Sequence, residues 1–172
     1  PFKVLVSGTG WSLAEKGGDS WAGYVDERNE LFDFIRDQRI DGVFGISGDS
    51  HMGELNCVPW SEKGGYDFYD LCSSPLAQLP DTDFIDQQPE IRIRPTWGRS
   101  VNVGILAFSM APQPTLTFTL QNPLGAAVWD PLVLTPADLR NGVTSWRTKI
   151  DRKELKRVER YRAGGPYYAP DS

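Results

Sequence analysis

The sequence predicts an α/β fold of mixed α+β character, a strand–helix–strand unit followed by a β-meander. Three observations predict it. Two short apolar runs, residues 2–6 and 43–47, flank a stretch with amphipathic helical spacing. Beyond His51 that period gives way to segments of alternating or continuous apolar character. The 172 residues, 40% apolar and 24% charged, have the length and composition of one globular domain rather than a fibrous or disordered chain.

Each element follows in order. Residues 2–6 (Phe-Lys-Val-Leu-Val) read as a buried strand closed by Ser7-Gly8-Thr9-Gly10. Pro1 stands where an initiator Met would, so a buried strand here implies a fragment or a processed subunit. The glycine-rich residues 15–18 make a loop. A helix is expected from Asp26, as N-cap, through Arg39, with Leu31, Phe32, Phe34 and Ile35 among Glu27, Arg28, Glu30, Asp33 and Arg36. Ile40-Asp41-Gly42 ends it, and Val43–Ser47 is a run of buried-strand type. Residues 54–60 and 67–72 read as strands joined by the turn at 61–65. Residues 91–94, 101–109 and 115–120 continue as strands of a meander, and 80–88 is an acidic, proline-bounded loop. Residues 147–162 carry eight Lys/Arg against three Asp/Glu, a basic extension (147–172) to a main domain of residues 1–146. It is expected to hold a short exposed helix, then the Gly164-Gly165-Pro166 break and a loose Tyr167-Tyr168 tail.

Several function classes fall away. The longest stretch without Lys, Arg, Asp or Glu, residues 100–129, is broken by Asn, Gln and Pro and cannot span a membrane as a helix. A net charge of −5 argues against a nucleic-acid coat. Two cysteines make no disulfide framework and no CxxC zinc knuckle, and one histidine excludes a multi-imidazole metal site from this chain alone. Gly8-Thr9-Gly10 lacks the third glycine of a dinucleotide fingerprint, Leu13 standing there instead. Cys57 and Cys72 suit buried strand positions, and Trp97, Trp129 and Trp146 suit packing.

The strongest local signal is Gly48-Asp49-Ser50-His51, directly after the run 43–47. In open α/β sheets, ligands sit beyond the carboxyl ends of the strands. Asp49 offers a hard oxygen and His51 a nitrogen, a pairing suited to di- or trivalent transition metals. Gly48 would let the backbone turn without a Cβ clash. The same four residues also read as a capping Asp and a surface His. Asp19, before Trp21 and Tyr24, could line a pocket or cap a turn. Arg28 could contact phosphate or form a structural ion pair.

Context adds a resemblance. Gly17-Gly18-Asp19-Ser20-Trp21-Ala22-Gly23-Tyr24, then Glu27-Arg28 opening a helix, then Gly48-Asp49-Ser50-His51, resemble the later motifs of the PhoD-like alkaline phosphatases, a DxWxGY stretch, an arginine-bearing helix and a strand ending in GDxH. Residues 71–76 resemble that family's "SxL" stretch, and residues 101–106 its "N-x-G" strand. The resemblance implies a calcineurin-like metallophosphoesterase, a four-layer αββα sandwich of which this chain is the C-terminal half. It implies hydrolysis of phosphomonoesters or phosphodiesters by metal-activated water, with two metal ions, iron and calcium. His51 would then ligate a metal, Asp49 ligate or orient the same centre, and Asp19 and Arg28 lie on the substrate side. The family's early carboxylate, Cys and Asn motifs find no match here, and Cys57 and Cys72, lying after GDxH, do not match its cysteine ligand. The expected partner is therefore a second polypeptide or upstream segment carrying those motifs. No membrane span and no nucleic-acid binding are expected, and export to a periplasm or medium fits the family. Against this stands a reading of another class, a non-catalytic β-rich interaction subunit that keeps the turn as a relic.

Overall fold

The computed structural model describes residues 1–12, 19–83 and 85–168. The loop expected at residues 15–18, with Gly17 and Gly18 that precede the DxWxGY stretch, and Leu13 lie outside them. Among the described residues, eight strands form two sheets. The first contains β1 (Lys3–Val6), β2 (Val43–Ser47), β3 (Glu54–Val58), β4 (Phe68–Cys72) and β5 (Ile91–Arg92), in the order β1-β2-β4-β3-β5. The second is an antiparallel meander of β6 (Val103–Ser109), β7 (Thr115–Gln121) and β8 (Leu132–Leu134). The molecule is thus mixed α/β, but the meander is shorter than expected. Strands β3, β4 and β5 join the sheet of the strand–helix–strand unit instead. β1, β2 and β4 run parallel, and β3 pairs antiparallel with both β4 and β5.

Helix α1 (Val25–Asp37) connects β1 to β2. Asp26 is not its cap. A 3-10 turn, Trp21–Tyr24, precedes it, begun by Ser20, whose hydroxyl accepts the Ala22 N–H at 3.2 Å. Asp26 therefore falls in the first helical turn, where a carboxylate favours the helix dipole. Phe32 of α1 packs against Phe68, Trp60 and Trp11, with ring centroids 4.6, 5.3 and 6.2 Å away, covering one face of the first sheet. The opposite face, with Ile46 and Leu71, meets Leu106 and Phe118 of the second sheet around a hollow of about 290 Å³. Strand β7 shows the period-2 burial that a one-sided sheet demands, with Leu116, Phe118 and Leu120 buried.

β1 is not buried. It is the edge of the first sheet, with Val4 46% and Val6 71% exposed. β6 is likewise an edge of the second sheet, with Val103, Ile105 and Phe108 exposed. Phe2 meets Phe108 at 5.9 Å, and Val6 shares the intersheet hollow with Leu106, so the two free edges lie on the same side of the molecule.

The basic C-terminal stretch also differs from expectation. Helices α2 (Trp146–Lys149) and α3 (Arg152–Arg162) are docked, with Trp146, Glu154 and Val158 buried. Asp67, at the start of β4, accepts the backbone N–H groups of Ser145 and Trp146 at 2.6 and 2.8 Å, satisfying donors that a helix start leaves open. Tyr167 is not loose. It is 5% exposed, and its hydroxyl donates to the buried Glu154 carboxylate at 2.7 Å. No helix among the described residues is long and apolar enough to cross a membrane.

Candidate functional site

The carboxyl ends of β1, β2 and β4 converge on residues 7–8, 47–51 and 73–75. Within Gly48-Asp49-Ser50-His51 the left-handed conformations fall on Asp49 (φ 63°) and His51 (φ 55°), and not on Gly48, whose glycine the turn does not require. This alternation separates the side chains. Ser50 is buried, its hydroxyl donating to the Met52 carbonyl at 3.0 Å and lying 3.3 Å from the Cys72 sulfur. Asp49 is exposed and His51 half-buried, and among the described residues neither side chain has a hydrogen bond or ion pair. Ser50 therefore anchors the turn while its neighbours remain available.

Two further supports were not visible in the sequence pattern. The His51 backbone N–H donates to the Ser74 hydroxyl at 3.2 Å, so the end of β4 holds the turn. Residues 73–75 are held in turn by Asn102, 2% exposed at the entrance to β6. Its side-chain amide donates to the Ser74 carbonyl, its Oδ1 accepts from the Ser73 hydroxyl at 3.1 Å, and its N–H donates to the Pro75 carbonyl at 3.0 Å. Gly104 then donates its N–H to Ser73 Oγ at 2.7 Å. A Cβ at Gly104 would lie 2.8 Å from the Phe118 ring and 3.0 Å from Ser73 Cβ, so close approach requires glycine there. The "SxL" and "N-x-G" stretches are thus two sides of one clamp between the sheets. The signal that could have found it is the pair of small polar residues facing an Asn–x–Gly.

Beneath the turn, Asp70 of β4 is fully buried, and no cation among the described residues pairs with it. It accepts from Ser47 Oγ at 2.6 Å, Trp11 N–H at 2.8 Å and the Ser12 N–H and hydroxyl at 3.3 and 3.2 Å. Burial pushes its carboxyl up to about 6, against the pull of those donors, with the charge of Glu54 adding to the rise. Asp70 so ties the segment after β1 to the centre of the sheet.

The remaining expected residues separate. Arg28 is buried. Its two terminal nitrogens donate to Glu90 at 2.9 and 2.6 Å, and one also to the Trp11 carbonyl at 2.7 Å. This is the ion-pair arrangement, and a phosphate here would have to displace Glu90. Asp19 is exposed and lines a separate hollow with Trp21 and Tyr24. Cys57 and Cys72 are buried thiols, both pushed up by burial.

The family model for PhoD-like phosphatases matches residues 3–93, from β1 through β5. The chain belongs to that family. Among curated proteins and among solved structures, none matches it. For a PhoD-like chain the metal question is direct. Asp49 and His51 have the donor chemistry of two ligands, oxygen and nitrogen with no competing bond. Among the described residues, however, no group of three or more His, Cys, Asp or Glu side chains could hold an ion. The two fit places in a ligand set, not a whole one.

Proposed function

We propose that this PhoD-like chain supplies one side of a metal-dependent phosphoester hydrolase centre, with Asp49 and His51 as its ligands. The observation that carries the reading is their shared placement, both unbonded beyond the carboxyl end of a parallel strand, with Ser50 anchored between them. When bound, the metals implied by the family resemblance, iron and calcium, would supply a water of lowered pKa for hydrolysis of the phosphoester to phosphate and the free alcohol. His51 and Asp49 orient the centre, and Ser74 keeps the His51 backbone in place.

The rest of the ligand set would come from a second polypeptide or upstream segment. The two free edges, β1 and β6, support this, because unpaired strand edges bearing exposed Val4, Val6, Ile105 and Phe108 are templates for further strands. In that arrangement the sheets would extend into the four-layer αββα sandwich. The same edges also favour the second reading, an interaction subunit without catalysis. One experiment separates the two. In the complex, His51→Ala should lose bound metal and hydrolysis of an aryl phosphate, while unfolding free energy stays within about 0.5 kcal/mol. Unchanged metal content and rate would leave only the interaction reading. The chain alone should show little turnover.

A further inference from the structure

Beside the turn lies a hollow of about 600 Å³ whose walls include Ser7, Thr9, Asp19, Trp21, Tyr24 and Glu27. Ser7 also borders the intersheet hollow that contains Ser47 and Gly48, so the 600 Å³ space opens at the same end of the sheet as Asp49 and His51. Its charge is distinctive. Asp19 and Glu27 contribute two carboxylates, and no Lys or Arg among the described residues lines it. Its other character is aromatic, from Trp21 and Tyr24.

These walls are held in advance of any ligand. Trp21 donates its indole N–H to Ser7 Oγ at 3.0 Å and stacks on Trp11, with ring centroids 4.8 Å apart and planes within 4°. The Thr9 hydroxyl donates to the Asp19 carbonyl, fixing the backbone that carries the first carboxylate. Glu27 sits in the first turn of α1, and Tyr24 just before it.

The combination excludes some occupants. A phosphate would meet Asp19 and Glu27 with no cation among the described residues to offset them, a repulsive arrangement. A neutral alkyl group would suit the largely apolar walls but leave the charges of Asp19 and Glu27 unanswered. A compact, weakly hydrated organic cation satisfies both features at once, since aromatic faces and carboxylates attract it. We propose that this hollow binds an alkylammonium group, the positively charged end of the alcohol that a phosphoester substrate carries. The assignment of that group to the substrate rests on the hydrolase reading; the cation site itself does not.

The test uses the full chain, without metal and without phosphate. Choline is titrated and the Trp21 indole resonance followed, beside 3,3-dimethyl-1-butanol, its uncharged isostere. Choline should saturate the shift, and the isostere should bind weaker by roughly tenfold or more. Asp19→Asn together with Glu27→Gln, both exposed positions, should weaken choline by a similar factor while circular dichroism stays unchanged. Tyr24→Ala should weaken it as well. Equal binding of choline and its isostere, saturation undiminished in the double carboxamide variant, or no shift with choline would each overturn the proposal. Because no turnover is read, such a failure leaves the hydrolase reading standing, and a failed hydrolysis assay leaves the cation site standing.

Discussion

Asp70→Asn should raise the stability of this protein at alkaline pH. Asp70 is fully buried, and its carboxyl is pushed from the ordinary 3.8 up to about 6, with burial the largest cause. A carboxyl whose folded value is raised binds its proton more tightly in the folded state. The associated stability is fully present below about pH 3.8 and is lost as pH rises through about 6. The whole span is about 3 kcal/mol, the difference of the two values at about 1.4 kcal/mol each. Between pH 8 and pH 5 the native protein should therefore gain about 1.4 kcal/mol from this group. Asparagine can keep the geometry. Its amide oxygen would accept from Trp11 and Ser12, and its NH₂ would donate to Ser47 Oγ, a hydroxyl able to turn and accept. Urea unfolding at pH 5, 6, 7 and 8 reads the effect, about 0.7 M in midpoint for an m-value of roughly 2 kcal/mol/M. Subtracting the variant's curve from the native one isolates Asp70 from Asp67 and Glu90, which burial also pushes up. The variant should be more stable at pH 8 and converge with the native protein on acidification. Parallel curves, or a variant weaker at pH 8, would refute the argument.

Three further outcomes are expected. Gly104→Ala should lose roughly 1–3 kcal/mol in thermal melts, because its Cβ meets Phe118 and Ser73 at 2.8 and 3.0 Å. Arg28→Ala should cost roughly 1–3 kcal/mol by leaving the half-buried Glu90 without its cation, and adding Glu90→Gln should recover part of it in a double-mutant cycle; a residue serving only a phosphate would leave stability unmoved. Asn102→Ala should cost roughly 1–3 kcal/mol by freeing Ser73 and Ser74, and should shift the His51 amide resonance, since Ser74 holds that N–H.

What the sequence revealed divides along the distance over which each feature is determined. The apolar run Val43–Ser47, the amphipathic spacing of α1 and the alternation in β7 are local signals, and all three elements formed where their residues dictated. Partner choice is not local. The turn at 61–65 specifies only the β3–β4 pair; the parallel pairing of β4 with β2 has no local signal, so β4 read as part of a meander. β8 is three residues long, too short for a period to register. Among site residues, the GDxH turn was legible as a motif, but its conformation was not, because Gly48 invites the turn that Asp49 and His51 take. Arg28 finds Glu90 sixty-two residues away. Asp70 looked like any polar residue alternating in a strand, while its four donors come from β2 and from the segment after β1.

The backbone of the turn has a consequence for selection. A left-handed conformation costs a side-chain-bearing residue about 1–2 kcal/mol that glycine would not incur. Asp49→Gly and His51→Gly should therefore each relieve steric cost, since among the described residues neither side chain makes a bond that its removal would break. Stability alone would favour glycine at both positions. A chain that keeps a carboxylate and an imidazole there, separated by one buried serine, carries a standing energetic burden in the turn beyond β2. Proteins hold such burdens where something other than folding depends on them, and here the burden falls on the two side chains that the fold itself leaves unused.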